Sequence, residues 1–205
     1  MMLKSISKKN TLIILDWDDT LFPTSWMKNN DMMINNNIDI SSEHRNIIKI
    51  LDNRLYTLLN TCLKYGDPII VTNAMTLWIT KSSNILPKTS IVLNRIKVFS
   101  AREIALNRNK NEQLENWKKY TFRLLYNGNY KNYNNIISIG DAIYEYEALV
   151  NIGVSDNSGR KIYKTVKLLD EPTIYELCEQ LSVLTNKMQS VCNNKNNLDL
   201  NFKNV

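Results

Sequence analysis

Asp16, Asp18 and Asp19 crowd the carboxyl end of an apolar run, Leu12-Ile13-Ile14-Leu15, with Thr20 beside them. Carboxylates at that density repel one another, so a cation is expected among them. The apolar run reads as a buried strand, and open α/β sheets gather ligands at the carboxyl ends of their strands. Other stretches carry groups that could join that tip. Ile69-Ile70-Val71 closes on Thr72-Asn73, and Ile136-Ile137-Ser138-Ile139-Gly140 runs into Asp141 and then Glu145. Lys110, Lys118 and Lys119 lie between those runs. Carboxylates, a hydroxyl and a lysine suit attack on a phosphate monoester, which needs a metal ion, a positioned nucleophile and a proton donor for the leaving oxygen.

The elements that must position these groups alternate. Strand candidates fall at 11–16, 68–72, 96–99, 135–140 and 165–168. Between them, 42–65 carries Ile47, Leu51, Leu55, Leu58 and Cys62 as one helical stripe, with Ser41 or Ser42 to cap it and Gly66 to end it. A short helix is expected over 75–84, before Pro87. Another runs from a cap at Asn111 to 126, with Leu114, Trp117, Thr121 and Leu125 inward. A final stripe of Ile174, Leu177, Leu181, Leu184 and Met188 follows Pro172, which suits a first helical turn. This predicts an α/β fold of three layers, Rossmann-like, with a central parallel sheet of about five strands and helices on both faces. Residues 1–10 read as an N-terminal extension, 11–188 as the domain and 189–205 as a polar, disordered tail. The stretches 22–40 and 101–110 are longer than a connection needs, yet too small to bury cores of their own.

The pattern Asp16-x-Asp18-x-Thr20 after an apolar strand resembles the first motif of the haloacid-dehalogenase-like (HAD) superfamily, and the later runs resemble its other motifs. Phrases such as Val71-Thr72-Asn73-Ala74, Phe99-Ser100-Ala101-Arg102 and Lys164-Thr165-Val166-Lys167-Leu168 are similar to a group of small HAD-like proteins of protists and large DNA viruses, over roughly residues 11–188. The resemblance implies that Asp16 is the nucleophile and forms an aspartyl-phosphate. It implies that Asp18 protonates the leaving oxygen and then deprotonates water, while its carbonyl binds metal. Thr72 and Asn73 would hold a phosphoryl oxygen, and Lys118 would neutralise phosphate and nucleophile. Asp141 would bind metal directly; Glu145, in place of the family's last Asp, would bind directly, through water or only as support, with Glu147 a helix-surface alternative. Asp16, Asp18, Asp141 and Glu145 thus form the expected metal set, and their hard oxygens point to Mg²⁺. Ser100 and Arg102 would touch the leaving group, or Arg102 is simply a surface arginine. Asp19 orients the loop or faces solvent, Thr20 steadies Asp18 within the turn, and Trp17 packs. With 22–40 only a flap or minimal cap, the site would be open and suited to a large phosphorylated substrate, a phosphoprotein or a polynucleotide end. The alternative is a silent HAD-like binding or scaffold protein, for which the Glu145 replacement leaves room.

Other phosphate chemistries lack their residues. No Gly-rich Lys-Ser/Thr loop occurs. Pro68 and Leu184 stand where a Cys-x₅-Arg pattern from Cys62 or Cys178 needs arginine, and His44 is the only histidine. A receiver domain would need an Asp after the third strand, where Phe99-Ser100 stands. Cys62, Cys178 and Cys192 are scattered, and the start has no apolar signal region, so a reducing cytoplasmic setting is expected. No stretch approaches membrane-spanning length. The net charge of +6 can mean an anionic partner. It also fits the over-use of Asn, Ile and Lys that A/T-rich codons produce, with Asn35-Asn36-Asn37 and 193–197 as drift in loops and tails.

Overall fold

The structure, a computed structural model, describes residues 6–34, 37–156 and 158–202. Residues 1–5 of the extension, Asn35 and Asn36 of the polar block and residues 203–205 of the tail lie outside the described residues.

Strand β1 (Thr11–Leu15) is buried along its whole length. Leu12 and Ile14 join one core while Ile13 and Leu15 join another, so the strand is covered on both faces. The stretch read as a loop after it folds into a short helix, α1 (Thr24–Asn29), and a hairpin of β2 (Met33–Ile34) and β3 (Asn37–Ile38). Buried Met27 and Met32 tie this flap to the core.

Helix α2 (Arg45–Tyr65) buries the whole predicted stripe. Its N-cap position is His44, whose ring Nδ1 is 2.8 Å from the Ser41 hydroxyl; neither Ser41 nor Ser42 occupies the cap itself. Gly66 ends the helix where the chain presses on β1: a Cβ there would lie 2.8 Å from Ile13 Cδ1 and 2.9 Å from the Thr11 carbonyl. The turn leads into β4 (Asp67–Thr72), α3 (Thr76–Ser83) and α4 (Pro87–Leu93), a helix the sequence reading did not anticipate. Pro87 begins α4 because a first-turn residue needs no N–H partner.

After β5 (Lys97–Ser100), the expected loop 101–110 is instead a helix, α5 (Ala101–Arg108). Its N-terminus is held by the Ser100 hydroxyl, which accepts the Glu103 N–H at 3.1 Å. Helix α6 (Leu114–Asn127) starts at Gln113 rather than Asn111, and Leu114 is 41% exposed instead of inward. Next come β6 (Asn135–Gly140), α7 (Ile143–Ser155) and β7 (Ile162–Lys167), which begins earlier than expected. Helix α8 (Ile174–Asn193) buries its predicted stripe. Thr173 caps it, exchanging hydrogen bonds with Glu176, so Pro172 stands just before the cap rather than in the first turn.

The tail is not disordered across its described part. Helix α8 runs on to Asn193, where the buried Lys164 ammonium donates to the Val191 and Cys192 carbonyls at 2.7 and 3.2 Å, a cation at a helix C-terminus. Leu198–Asn201 then forms β8 beside β7. The polar composition hid a period of two: Leu198, Leu200 and Phe202 pack on the core, while Asn197 and Asp199 bond to Tyr163 and Thr165 of β7.

The sheet order is β5-β4-β1-β6-β7-β8, every pair parallel, so six strands stand where about five were expected. Helices α2 and α8 cover one face; α5, α6 and α7 cover the other. The chain winds outward from β1 to β5, then crosses back to β6 on the far side of β1. This places the crevice of a doubly wound sheet at the carboxyl ends of β1 and β6. Among the described residues no helix is long and apolar enough to cross a membrane.

Candidate functional site

The β1–β6 ladder continues one residue past β1, since the Asp16 N–H donates to the Ile139 carbonyl at 3.0 Å. That bond fixes Asp16 at the crevice. Asp141 leaves the neighbouring strand at the same level, and Glu145 returns from the first turn of α7. One ligand oxygen from each of Asp16, Asp141 and Glu145 lies within 4.8 Å of the others, and all three residues are buried. Lys118, also buried, comes from the first turns of α6 and pairs with Asp16 at 2.7 Å and with Glu145.

Charge balance and burial explain the electrostatics. Burial pushes the Asp16 carboxyl well above its ordinary range; Lys118 opposes this, while Glu145, Asp141 and Asp18 add to it. Asp141 is pushed up to about 7, first by burial and then by the charge of Glu145, against a hydrogen bond from Thr20. Burial alone would lower the Lys118 ammonium, but Asp16 and Glu145 outweigh it and hold it above the usual lysine range. One ammonium therefore faces several carboxylates. Asp16 Oδ1, although 2.7 Å from the Lys118 ammonium, receives no hydrogen bond of good geometry. A buried, underserved anionic oxygen beside further hard oxygens fits a small divalent cation.

The loop after β1 is held by its own side chains. Asp19 adopts φ +53°, which Asp tolerates better than most residues, and accepts hydrogen bonds from the Ser25 N–H and hydroxyl at 2.8 and 2.6 Å. Of its two readings, loop orientation is the one the geometry matches. Trp17 is fully buried against Phe22, as expected of a packing residue. Thr20 does not steady Asp18. Its hydroxyl donates to Asp141 Oδ1 and accepts the Asp141 N–H, both at 2.9 Å, which ties the first acidic loop to the second. The distance of 121 positions along the chain concealed that bond.

Asp18 is half-buried. Its Oδ1 accepts the Trp78 indole N–H at 2.7 Å and the Thr24 hydroxyl. Burial raises its pKa, and these two hydrogen bonds to the carboxylate hold the rise in check. Thr72 ends β4 next to β1, and its hydroxyl oxygen accepts the Ala74 N–H at 3.0 Å, shaping the turn that presents Asn73. Asn73 Oδ1 is buried without a partner.

Glu145 divides its carboxylate between two tasks: Oε1 meets Lys118, and Oε2 accepts the Ala142 N–H at 3.1 Å. Gly140 makes room for it, since a Cβ there would overlap the Glu145 side chain. Gly140→Ala is accordingly expected to displace Glu145, uncouple Lys118 and destabilise the protein by about 1–3 kcal/mol, the usual range for overpacking; denaturant unfolding measures this, and an unchanged midpoint would contradict it.

Ser100 and Arg102 are not gathered into this cluster. Ser100 caps α5 at the end of β5, two strands from β1, and the Arg102 guanidinium stands 5.7 Å from the centre of the Trp117 ring. Lys119 pairs with Glu147 at 2.7 Å on the helix surface, which leaves both outside the site. Sequence reasoning missed Trp78, Thr24 and Lys167. The Lys167 ammonium bonds to the Asp141 carbonyl and, at 2.6 Å, to Asp170, securing the loop that carries Asp141. Trp78 had no motif to announce it; Lys167 stands in the phrase Lys164-Thr165-Val166-Lys167-Leu168, and its place at the end of a strand beside the acidic crevice was the one signal of its role.

No family model and no curated protein matches the chain. Among solved structures, the chain is similar to the crystal structure of the Legionella pneumophila effector Ceg4 with an N-terminal yeast Hog1p sequence, at 10% identity and a TM-score of 0.48, covering 87% of this chain and 95% of that one. A likeness at that level carries no argument about chemistry, so the reading of the site rests on its own atoms.

Proposed function

We propose that this chain is a Mg²⁺-dependent phosphomonoester hydrolase of the HAD-like kind, acting through an aspartyl-phosphate. The observation that supports it most is the meeting of Asp16, Asp141 and Glu145 at the β1–β6 crevice with Lys118 against them. Asp16, Asp141 and the Asp18 carbonyl would hold the ion. When bound, it would screen the phosphate charge that repels an attacking carboxylate.

In this reading the Asp16 carboxylate attacks phosphorus in line with the ester oxygen. The P–O bond to the leaving group breaks, and Asp18 gives that oxygen its proton, releasing an alcohol. Water then attacks the phosphoryl group on Asp16 while Asp18 takes its proton. The acyl-phosphate bond breaks, phosphate leaves, and Asp18 is again protonated for the next cycle. Lys118 balances charge on nucleophile and phosphate, Thr72 and Asn73 address a phosphoryl oxygen, and Glu145 orients Lys118. The small flap suits a large substrate, a phosphoprotein or a polynucleotide end.

The test is a screen of phosphopeptides, nucleotides, 3′- and 5′-phosphorylated oligonucleotides, sugar phosphates and p-nitrophenyl phosphate, with and without Mg²⁺. Phosphate release should require the metal and disappear in Asp16→Asn. Wild-type protein no better than that variant on every ester would favour a silent binding protein.

A further inference from the structure

We infer that Trp78, itself half-buried, is the positioning residue of the proton-transfer carboxylate, held to that task by a ladder with two fully buried aromatic rings, Trp17 and Phe22. This rests on the hydrolase reading and goes beyond it, to a residue on a different element from the acidic loop. Three observations meet here. Trp78 and Thr24 both donate to the same oxygen of Asp18, Oδ1. Trp17 stacks on Phe22 with ring centres 5.9 Å apart and planes 6° apart, and Phe22 meets Trp78 edge-on at 5.8 Å and 87°. The ladder is closed by Ser82, which accepts the Trp17 indole N–H at 2.9 Å and donates to the Trp78 carbonyl at 2.8 Å.

The rings therefore lock α3 to the loop that bears Asp18, and Trp17 and Phe22, the bulky residues of the first motif, set the height of the Trp78 indole. Two donors on one oxygen leave the other, Oδ2, as the place for the transferable proton. From Oδ2 the proton passes to the leaving oxygen as its bond to phosphorus breaks, and the electron pair left on Asp18 stays with the carboxylate. Loss of the indole N–H lets the carboxylate rotate, so the proton is offered in the wrong direction although the nucleophile is untouched.

The leaving group reads this out. An alkyl phosphate such as glycerol phosphate expels an alkoxide that must be protonated, whereas p-nitrophenolate departs unaided. Trp78→Phe keeps the aromatic packing and removes only the donor. It is expected to lower kcat/KM on the alkyl ester about 10- to 100-fold, the range for a hydrogen bond to a charged group, because kcat/KM ends with formation of the acyl-phosphate, the half-reaction in which the leaving oxygen is protonated. On p-nitrophenyl phosphate the loss of kcat/KM should be below about three-fold, while kcat there is free to fall because hydrolysis of the acyl-phosphate still needs Asp18 to take the proton of water. Thr24→Val should fall in the same direction. A measurement independent of turnover accompanies these: the Trp78 indole N–H resonance, assigned by its disappearance in Trp78→Phe, should exchange slowly with solvent and move on Asp18→Ala. Equal losses of kcat/KM on both esters, no loss on either, or an indole resonance indifferent to Asp18→Ala would overturn the inference while the hydrolase reading stands. A wild-type protein inert on every ester of the screen would overturn both; one active only on phosphopeptides is read by the same comparison, a phosphoserine against a phosphotyrosine peptide.

Discussion

Asp16→Asn is expected to lower phosphomonoester turnover at least ~100-fold, in the range of the acid–base and electrostatic contributions it removes, without unfolding the protein. Asparagine keeps the shape of aspartate but cannot form the acyl-phosphate. The fold should tolerate it because the carboxylate is a burden in the absence of a cation: burial drives its pKa up, and its Oδ1 lacks a well-formed hydrogen bond. Lys118 keeps Glu145 as a partner. Activity should thus collapse while the thermal midpoint of the metal-free protein holds or rises. Steady-state kinetics and thermal unfolding on one preparation separate the two quantities. Near-native turnover would remove Asp16 as nucleophile, and a steep fall in the midpoint would show that the carboxylate is needed for the fold. Asp18→Asn and Asp141→Asn should each lose activity to a similar degree.

The second large effect is on pH-dependent stability. In folded, metal-free protein Asp141 titrates at about 7, above its ordinary value of 3.8, because burial and Glu145 disfavour its charge. Between those two values the folded chain binds more protons at this group than the unfolded chain does. Stability must then fall as pH rises from about 4 to about 7, and the loss is complete above that. A difference of that size is worth on the order of 4 kcal/mol. Asp16, also raised, adds the same sign. Asp156 and Glu176, lowered by hydrogen bonds from Ser158 and Thr173, act oppositely and are present in every variant compared. Thermal midpoints in chelator across this range should decline for the wild type and decline less for Asp141→Asn. Mg²⁺ should restore the midpoint more at pH 8 than at pH 5, because at pH 5 protons compete for the same oxygens. A wild-type midpoint that is flat or rises with pH would contradict the account of Asp141.

Much of this was legible along the chain because period and spacing are local properties. Ile47, Leu51, Leu55, Leu58 and Cys62 recur at helical spacing, and each is buried in α2. The uninterrupted apolar run of β1 is what a strand covered on both faces requires. Errors came where a local signal was weak or ambiguous. The 101–110 stretch has no apolar stripe, yet a single cap at Ser100 starts a helix there. The tail was lost in its asparagines, although Leu198, Leu200 and Phe202 alternate as a strand does and β7 needed an edge partner.

The residue types of the acidic crevice were determined by the sequence alone, because Asp16 and Asp141 each follow an apolar run, where a strand must stop and its next side chain must face the crevice, and Glu145 comes about one helical turn after Asp141. Only the tertiary structure decided who serves whom. Thr20 turned to Asp141, Glu145 to Lys118, and Trp78 to Asp18. These bonds span from 27 to 121 positions, and no local period encodes them. They arise from the winding order that sets β6 against β1, and from buried charges and N–H groups that must find partners once water is gone.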